Sequence, residues 1–152
     1  MKKICFSLVI LICGFTVNAQ KLKEAAVPVD VKNKFAAMYP NAMEKEWEKE
    51  DGKFEVSFKN NKEETSLLFE ANGTHVQTEI EIQVSFLPKN IGDFASKKFP
   101  GKKINEAAKI TAANGTVTYE AEIGGDDYYF DANGNFLNKG KDNEKDDEDR
   151  KE

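Results

Sequence analysis

The chain has two cysteines in 152 residues, Cys5 and Cys13, and both fall in its first segment. That segment reads as a secretory signal peptide spanning 1–19. Lys2 and Lys3 form a positive start, Ile4 to Phe15 is almost entirely apolar, and Val17-Asn18-Ala19 closes it with small or modest residues. Cleavage after Ala19 would leave no cysteine, which excludes disulfides, thiolate metal sites and a cysteine nucleophile. Ile12 is bulky for the position before a lipidated cysteine. The apolar run falls short of the roughly 20 residues a bilayer-spanning helix needs, so no stable membrane insertion is expected. Histidine is equally scarce. His75 stands alone, expected on the polar face of a strand end, and one imidazole supplies neither a triad nor a metal cluster. Neither an enzymatic role nor a cofactor is implied.

An excess of basic charge is also missing. The formal net charge is −5, and loss of Lys2 and Lys3 would take it to −7. No basic stripe interleaves with the aromatic residues, which disfavours nucleic acid. Residues 138–152 contain no apolar side chain and read as a disordered, charged tail, because nothing in them offsets the entropy of ordering.

What is present is a repeat. Pro28 and Pro88 are sixty residues apart, as are Pro40 and Pro100, while Asn72-Gly73 returns 61 residues later as Asn133-Gly134. Proline opens each helix and stops it, and Asn-Gly marks a tight turn, so a structural unit is duplicated. Units are expected at 20–84 and 85–137. In the first, Val31, Phe35, Met38 and Tyr39 fall on one helical face; in the second, Ile91, Phe94, Ala95 and Phe99 do so. Each helix of about three turns is too short to stand alone in water. It must dock on a sheet.

The strands are legible by alternation. Phe54, Val56 and Phe58 alternate with Glu55, Ser57 and Lys59. Thr65 to Glu70 follows, with Leu67 and Phe69 inward, then Val76 to Ile82, with a shorter strand around Trp47 before them. The second unit repeats the order through Ile104 to Ile110, Val117 to Ile123, Asp127 to Asp131 and Phe136-Leu137. The fold class is therefore α+β: two tandem α-β-β-β-β repeats forming one antiparallel sheet, with both short helices on one face.

Val-Pro…Phe…Tyr-Pro, the Trp47 strand, Phe-Glu-Val-Ser-Phe and Leu-Phe-Glu-Ala-Asn-Gly resemble the PepSY-like family of small exported bacterial proteins. The second copy matches through Phe-Pro-Gly-Lys-Lys-Ile-Asn-Glu-Ala, Tyr-Glu-Ala-Glu and Phe-Asp-Ala-Asn-Gly. The resemblance covers roughly Ala26 to Leu137. It implies a fold similar to β-lactamase inhibitory protein, with one curved sheet and helices packed on one side, and a periplasmic or secreted location. The chain has no counterpart of that inhibitor's loops, and its two cysteines precede the expected cleavage site.

The sheet face away from the helices is the expected binding surface. Alternation assigns it Glu55, Ser57, Lys59, Gln77, Glu79, Glu81, Thr118, Glu120 and Glu122. Trp47 is either a core residue or an aromatic anchor on that surface, and one of the adjacent Tyr128 and Tyr129 should be an exposed anchor. The expected role is a non-catalytic module engaging a protein, peptide or envelope component. Inhibition of an exported protease or other hydrolase is the alternative, as is weak calcium binding by the acidic face. Asp131-Ala132-Asn133-Gly134 lacks the spacing and closing glutamate of an EF-hand loop and reads as a hairpin turn.

Overall fold

A computed structural model describes residues 20–140. The predicted signal peptide and the tail beyond residue 140 lie outside the described residues. Among the described residues, nine strands form a single sheet in chain order, every neighbouring pair antiparallel. They are β1 (Gln20–Leu22), β2 (Glu46–Glu50), β3 (Lys53–Asn60), β4 (Glu63–Phe69), β5 (His75–Glu81), β6 (Ile104–Ala112), β7 (Val117–Ile123), β8 (Asp126–Asp131) and β9 (Phe136–Lys139). Helix α1 (Val29–Met38) lies between β1 and β2, and α2 (Lys89–Lys98) between β5 and β6. Among the described residues no helix is long and apolar enough to cross a membrane.

The duplication extends further than four strands and a helix. Short 3-10 turns at Glu24–Ala26 and Val84–Phe86 precede the two helices at matching positions. β1, which the sequence pattern does not announce, pairs Leu22 with Trp47, and sixty residues on Ile82 donates its backbone N–H to Ala107. β5 thus closes the first unit and opens the second. Asn138 and Lys139, assigned to the charged tail by composition, instead extend β9 and pair with Tyr129 and Tyr128; strand pairing supplies the stabilisation their side chains do not.

Both helices begin immediately after proline and end at an aromatic residue before proline. Pro28 and Pro88 occupy the N-cap, one position earlier than the first helical turn. At the other end Tyr39 and Phe99 leave the helical region with φ of −134° and −130°, as residues before proline must. Each Asn-Gly turn then packs on the start of its helix. A Cβ on Gly73 would fall 2.7 Å from the carbonyl oxygen of Asp30, and one on Gly134 would fall 3.0 Å from Pro88. The recurring prolines and Asn-Gly pairs are two sides of one contact.

Each helix covers one half of the sheet. α1 buries Val31 and Phe35 against Trp47, Phe54, Val56, Phe58, Leu67 and Phe69; Met38, expected on the same face, is instead about a third exposed. α2 buries Ile91 and Ala95 against Ala121, Ile123, Tyr128 and Phe130. The two cores are built from side chains of different sizes. Phe35 and Trp47 in the first unit correspond to Ala95 and Ala107 in the second, where Phe94, Phe99 and Tyr128 fill the space.

Candidate functional site

The face opposite the helices is set by strand register. Ser57, Ser66, Glu79, Ile110, Thr118 and Asp131 form one row across β3 to β8, and Leu68, Gln77 and Ala112 a second. Glu81, Ala108, Glu120, Tyr129 and Asn138 form a third, and Glu106, Glu122 and Asp127 a fourth. Glu55, Ser57, Lys59, Gln77, Glu79, Glu81, Thr118, Glu120, Glu122 and Tyr129 therefore share this face. Neither helix lies on it.

Two of the expected anchors belong to the other side. Trp47 pairs with Val56 and stands edge-on to Phe35 at 5.6 Å, leaving 3% of its surface exposed. Tyr128 pairs with Ala121 and packs at 4.9 Å on Phe99. Both are core residues, because their register places them with Val56 and Ala121 under the helices. Tyr129 does face the open side, yet it is buried too; the expectation that one of the two tyrosines is exposed fails.

His75 also departs from alternation. The register shift between Leu68 and Phe69 pairs His75 with Phe69 and turns it toward the helices. Its Nε2 lies 2.9 Å from the Thr78 hydroxyl, its ring meets Phe69 edge-on at 5.6 Å, and burial lowers its pKa below 6.5.

The acidic residues are deeper than a solvated face would leave them. Glu55, Glu79 and Glu120 are each less than a tenth exposed. Small or apolar neighbours explain this: Glu79 sits between Ser66 and Ile110, and Glu120 between Ala108 and Tyr129. Glu120 shares a hydrogen bond with the Tyr129 hydroxyl. Glu79 Oε1 and Glu120 Oε2 meet no hydrogen-bond partner among the described residues.

Burial penalises their charged forms, and the neighbouring carboxylates add to the effect. Desolvation, then Glu120, Glu55 and Asp127, hold the Glu79 carboxyl well above 4.5. Desolvation and Asp127 push Glu120 up to about 8, and desolvation with Glu122 and Asp126 pushes Asp127 up to about 6. Glu120 therefore keeps its proton at neutral pH, and the centre of the face is less anionic than its number of carboxyl groups implies. Its lysines Lys53 and Lys59 sit at the rim, 3.7 Å from Glu70 and 3.8 Å from Glu64.

A groove of about 440 Å³ runs beside this centre, lined by Gln77, Ile110, Ala112, Thr116, Thr118, Tyr129, Leu137 and Asn138. Sequence reasoning placed Gln77 and Thr118 on the face and left Tyr128 and Tyr129 as alternatives, but missed the apolar floor. The signal was present in β6, where Ala107, Ala108 and Ile110 are buried at both parities of the strand. Among the described residues no group of three or more His, Cys, Asp or Glu is arranged to hold a metal ion. Asp131 instead spends its carboxylate on the turn, accepting from the backbone N–H of Asn133 and Asn135 and from the Asn135 amide.

A tandem helix-and-sheet repeat that covers one face of its sheet and leaves the other with a groove defines the architectural class. The chain belongs to the PepSY-like family: a model described as "Putative beta-lactamase-inhibitor-like, PepSY-like" matches residues 16–75 and again residues 53–138. Solved structures share the fold. A DUF2874 family protein from Bacteroides uniformis is similar with a TM-score of 0.66 at 18% identity, over 74% of this chain and 87% of that one. A BLIP-like protein from Bacteroides fragilis aligns with a TM-score of 0.58 at 20% identity, over 79% and 90%. A third, from Bacteroides eggerthii and described among "putative periplasmic proteins", gives 0.67 at 16% identity over 74% and 87%. No curated protein sequence matches the chain.

Proposed function

We propose that this protein is a non-catalytic binding module of the bacterial periplasm or exterior, and that it engages a protein or peptide partner through the groove side of its sheet. The observation that carries the reading is the division of labour between faces. The helices and both aromatic cores lie on one side, while the other side presents an apolar-floored groove with polar walls. That composition suits recognition of a partner surface. The signal-peptide pattern of residues 1–19 and the description of the Bacteroides eggerthii neighbour support an exported location. Inhibition of an exported hydrolase is the second reading, favoured by the family description.

The test is capture of partners from a periplasmic extract by the wild-type protein, by Thr118→Arg, which fills the groove, and by Lys97→Glu, an exposed control on α2. A partner held by wild type and Lys97→Glu but lost in Thr118→Arg supports docking at the groove. Equal capture by all three sinks it. Glu79 and Glu120 are poor choices for charge reversal, since a buried lysine there would test folding instead.

A further inference from the structure

Glu79 Oε1 and Glu120 Oε2, which have no hydrogen-bond partner among the described residues, sit on either side of β6, the strand that separates β5 from β7. On this face β6 offers only Ala108 and Ile110 between them, by register. Neither acid lines the groove, but each lies one residue from its wall: Ile110, the cross-strand neighbour of Glu79, and Tyr129, that of Glu120, both line it. A buried carboxyl oxygen left without a donor is costly in the free protein, and two such oxygens beside one groove mark a place where a ligand supplies the donors.

We propose that the partner inserts an arginine side chain here, its aliphatic stem along Ile110, Ala112 and Leu137 and its guanidinium between Glu79 and Glu120. This deepens the reading of the face as a protein-docking surface and rests on it. A guanidinium suits the pair because its planar fork carries five donors and can serve two carboxyl groups at once. It is also weakly hydrated, so less is lost on entering an apolar-floored groove.

The surroundings favour a cation from five of the packed strands. β3 contributes Glu55, β5 Glu81, β6 Glu106, β7 Glu122 and β8 Asp127 together with the Tyr129 hydroxyl. The lysines of β3, Lys53 and Lys59, are engaged with Glu70 and Glu64 at the rim. Because burial keeps the two central acids protonated to unusually high pH, binding a guanidinium would expel protons. Affinity should therefore rise between about pH 6 and about pH 9, by roughly tenfold or more.

The experiment is amide chemical-shift mapping of the nitrogen-15-labelled protein with acetyl-Gly-Arg-Gly-amide and the same peptide carrying neutral citrulline. Both are titrated to millimolar concentration at the two pH values. The proposal expects shifts centred on Glu79, Ile110 and Glu120 with arginine only, tighter at the higher pH. These should vanish in Glu79→Gln with Glu120→Gln, whose spectrum elsewhere must match wild type; Glu120→Gln alone, with an intermediate loss, serves if the double variant is perturbed. Equal shifts from citrulline, or none from arginine at either pH, overturn it. A silent arginine peptide with Thr118→Arg still abolishing capture rejects the cationic anchor and leaves the docking face standing. Arginine-specific shifts with capture unchanged by Thr118→Arg would reject the docking reading, and with it the arginine as a partner's anchor.

Discussion

On the helix side of the sheet, Phe69 and Phe130 occupy equivalent places in the two units and are both fully buried. On the opposite side, the strands between them bury Glu79 and Glu120 almost as deeply, each with one carboxyl oxygen, Oε1 of Glu79 and Oε2 of Glu120, that no donor among the described residues reaches. The first face is dry, aromatic and repeated, and each side chain there gains from being out of water. The second is polar and unrepeated, and burial there works against the charged state of its residues. One face holds the fold; the other carries a cost that folding does not explain. Functional surfaces are where such costs are expected to persist.

The sharpest break in this comparison is Phe69→Ala. Phe69 is fully enclosed between Phe54 and the α1 core, and its loss should cost about 3–5 kcal/mol through lost burial and a residual cavity. Urea unfolding measures it. A cost below about 1 kcal/mol would mean that the helix-side core is not what stabilises the sheet.

The contact between turn and helix comes next. Gly134 has φ of +80° and would place a Cβ 3.0 Å from Pro88, whereas Gly115 has φ of +85° and nothing within 4 Å. Both pay the left-handed penalty on substitution, but only Gly134 also meets the start of α2. Gly134→Ala should therefore cost about 2–4 kcal/mol and Gly115→Ala about 1–2 kcal/mol. Equal costs would show that the turn does not press on the helix.

On the open face the sign reverses. Glu79 and Glu120 have pKa values raised by burial above their ordinary carboxyl range, and Asp127 follows at about 6. The native state thus holds protons the unfolded chain releases. For Glu120 the contribution to stability is present below about pH 4.5 and is lost progressively as pH rises toward about 8, and Glu79 and Asp127 lose theirs in the same direction. Glu79→Gln should raise stability at pH 8 by about 1–2 kcal/mol and change little near pH 4. Melting temperatures of both proteins across this range decide it, and a variant less stable than wild type at pH 8 would contradict the burial argument.

How much of this was legible depends on whether the cause is local. Proline at both ends of a helix and Asn-Gly after a strand act through their own backbone, so α1, α2 and the turns could be read directly, as could the parity of Glu55, Gln77 and Thr118. β1 could not, because Gln20-Lys21-Leu22 is too short for periodicity and exists only through its pairing with β2. Parity also says nothing of depth. Glu79 was placed on the open face and Tyr129 was left undecided against Tyr128, and the burial of both comes from neighbours on β4, β6 and β7 that become adjacent only in the sheet. The side taken by His75 depends on a one-residue register shift that no local pattern records.

That same shift allows the finest comparison, between the two units at one site. In the second unit Phe136 lies flat on Phe94, ring centroids 5.1 Å apart at 11°. The corresponding positions of the first hold His75 and Lys34, whose charge lowers the His75 pKa further after desolvation. A histidine pKa below 6.5 means stability present above that pH and lost as pH falls, since the unfolded chain then binds the proton more readily. His75→Phe should remove this acid-side loss. Adding Lys34→Phe recreates the second unit's stack, and a double-mutant cycle should return a favourable coupling of about 0.5–1.5 kcal/mol between the new rings. A coupling near zero would show that the units share a backbone plan but not interchangeable contacts, and that the turn after β4 positions residue 75 differently from its partner after β8.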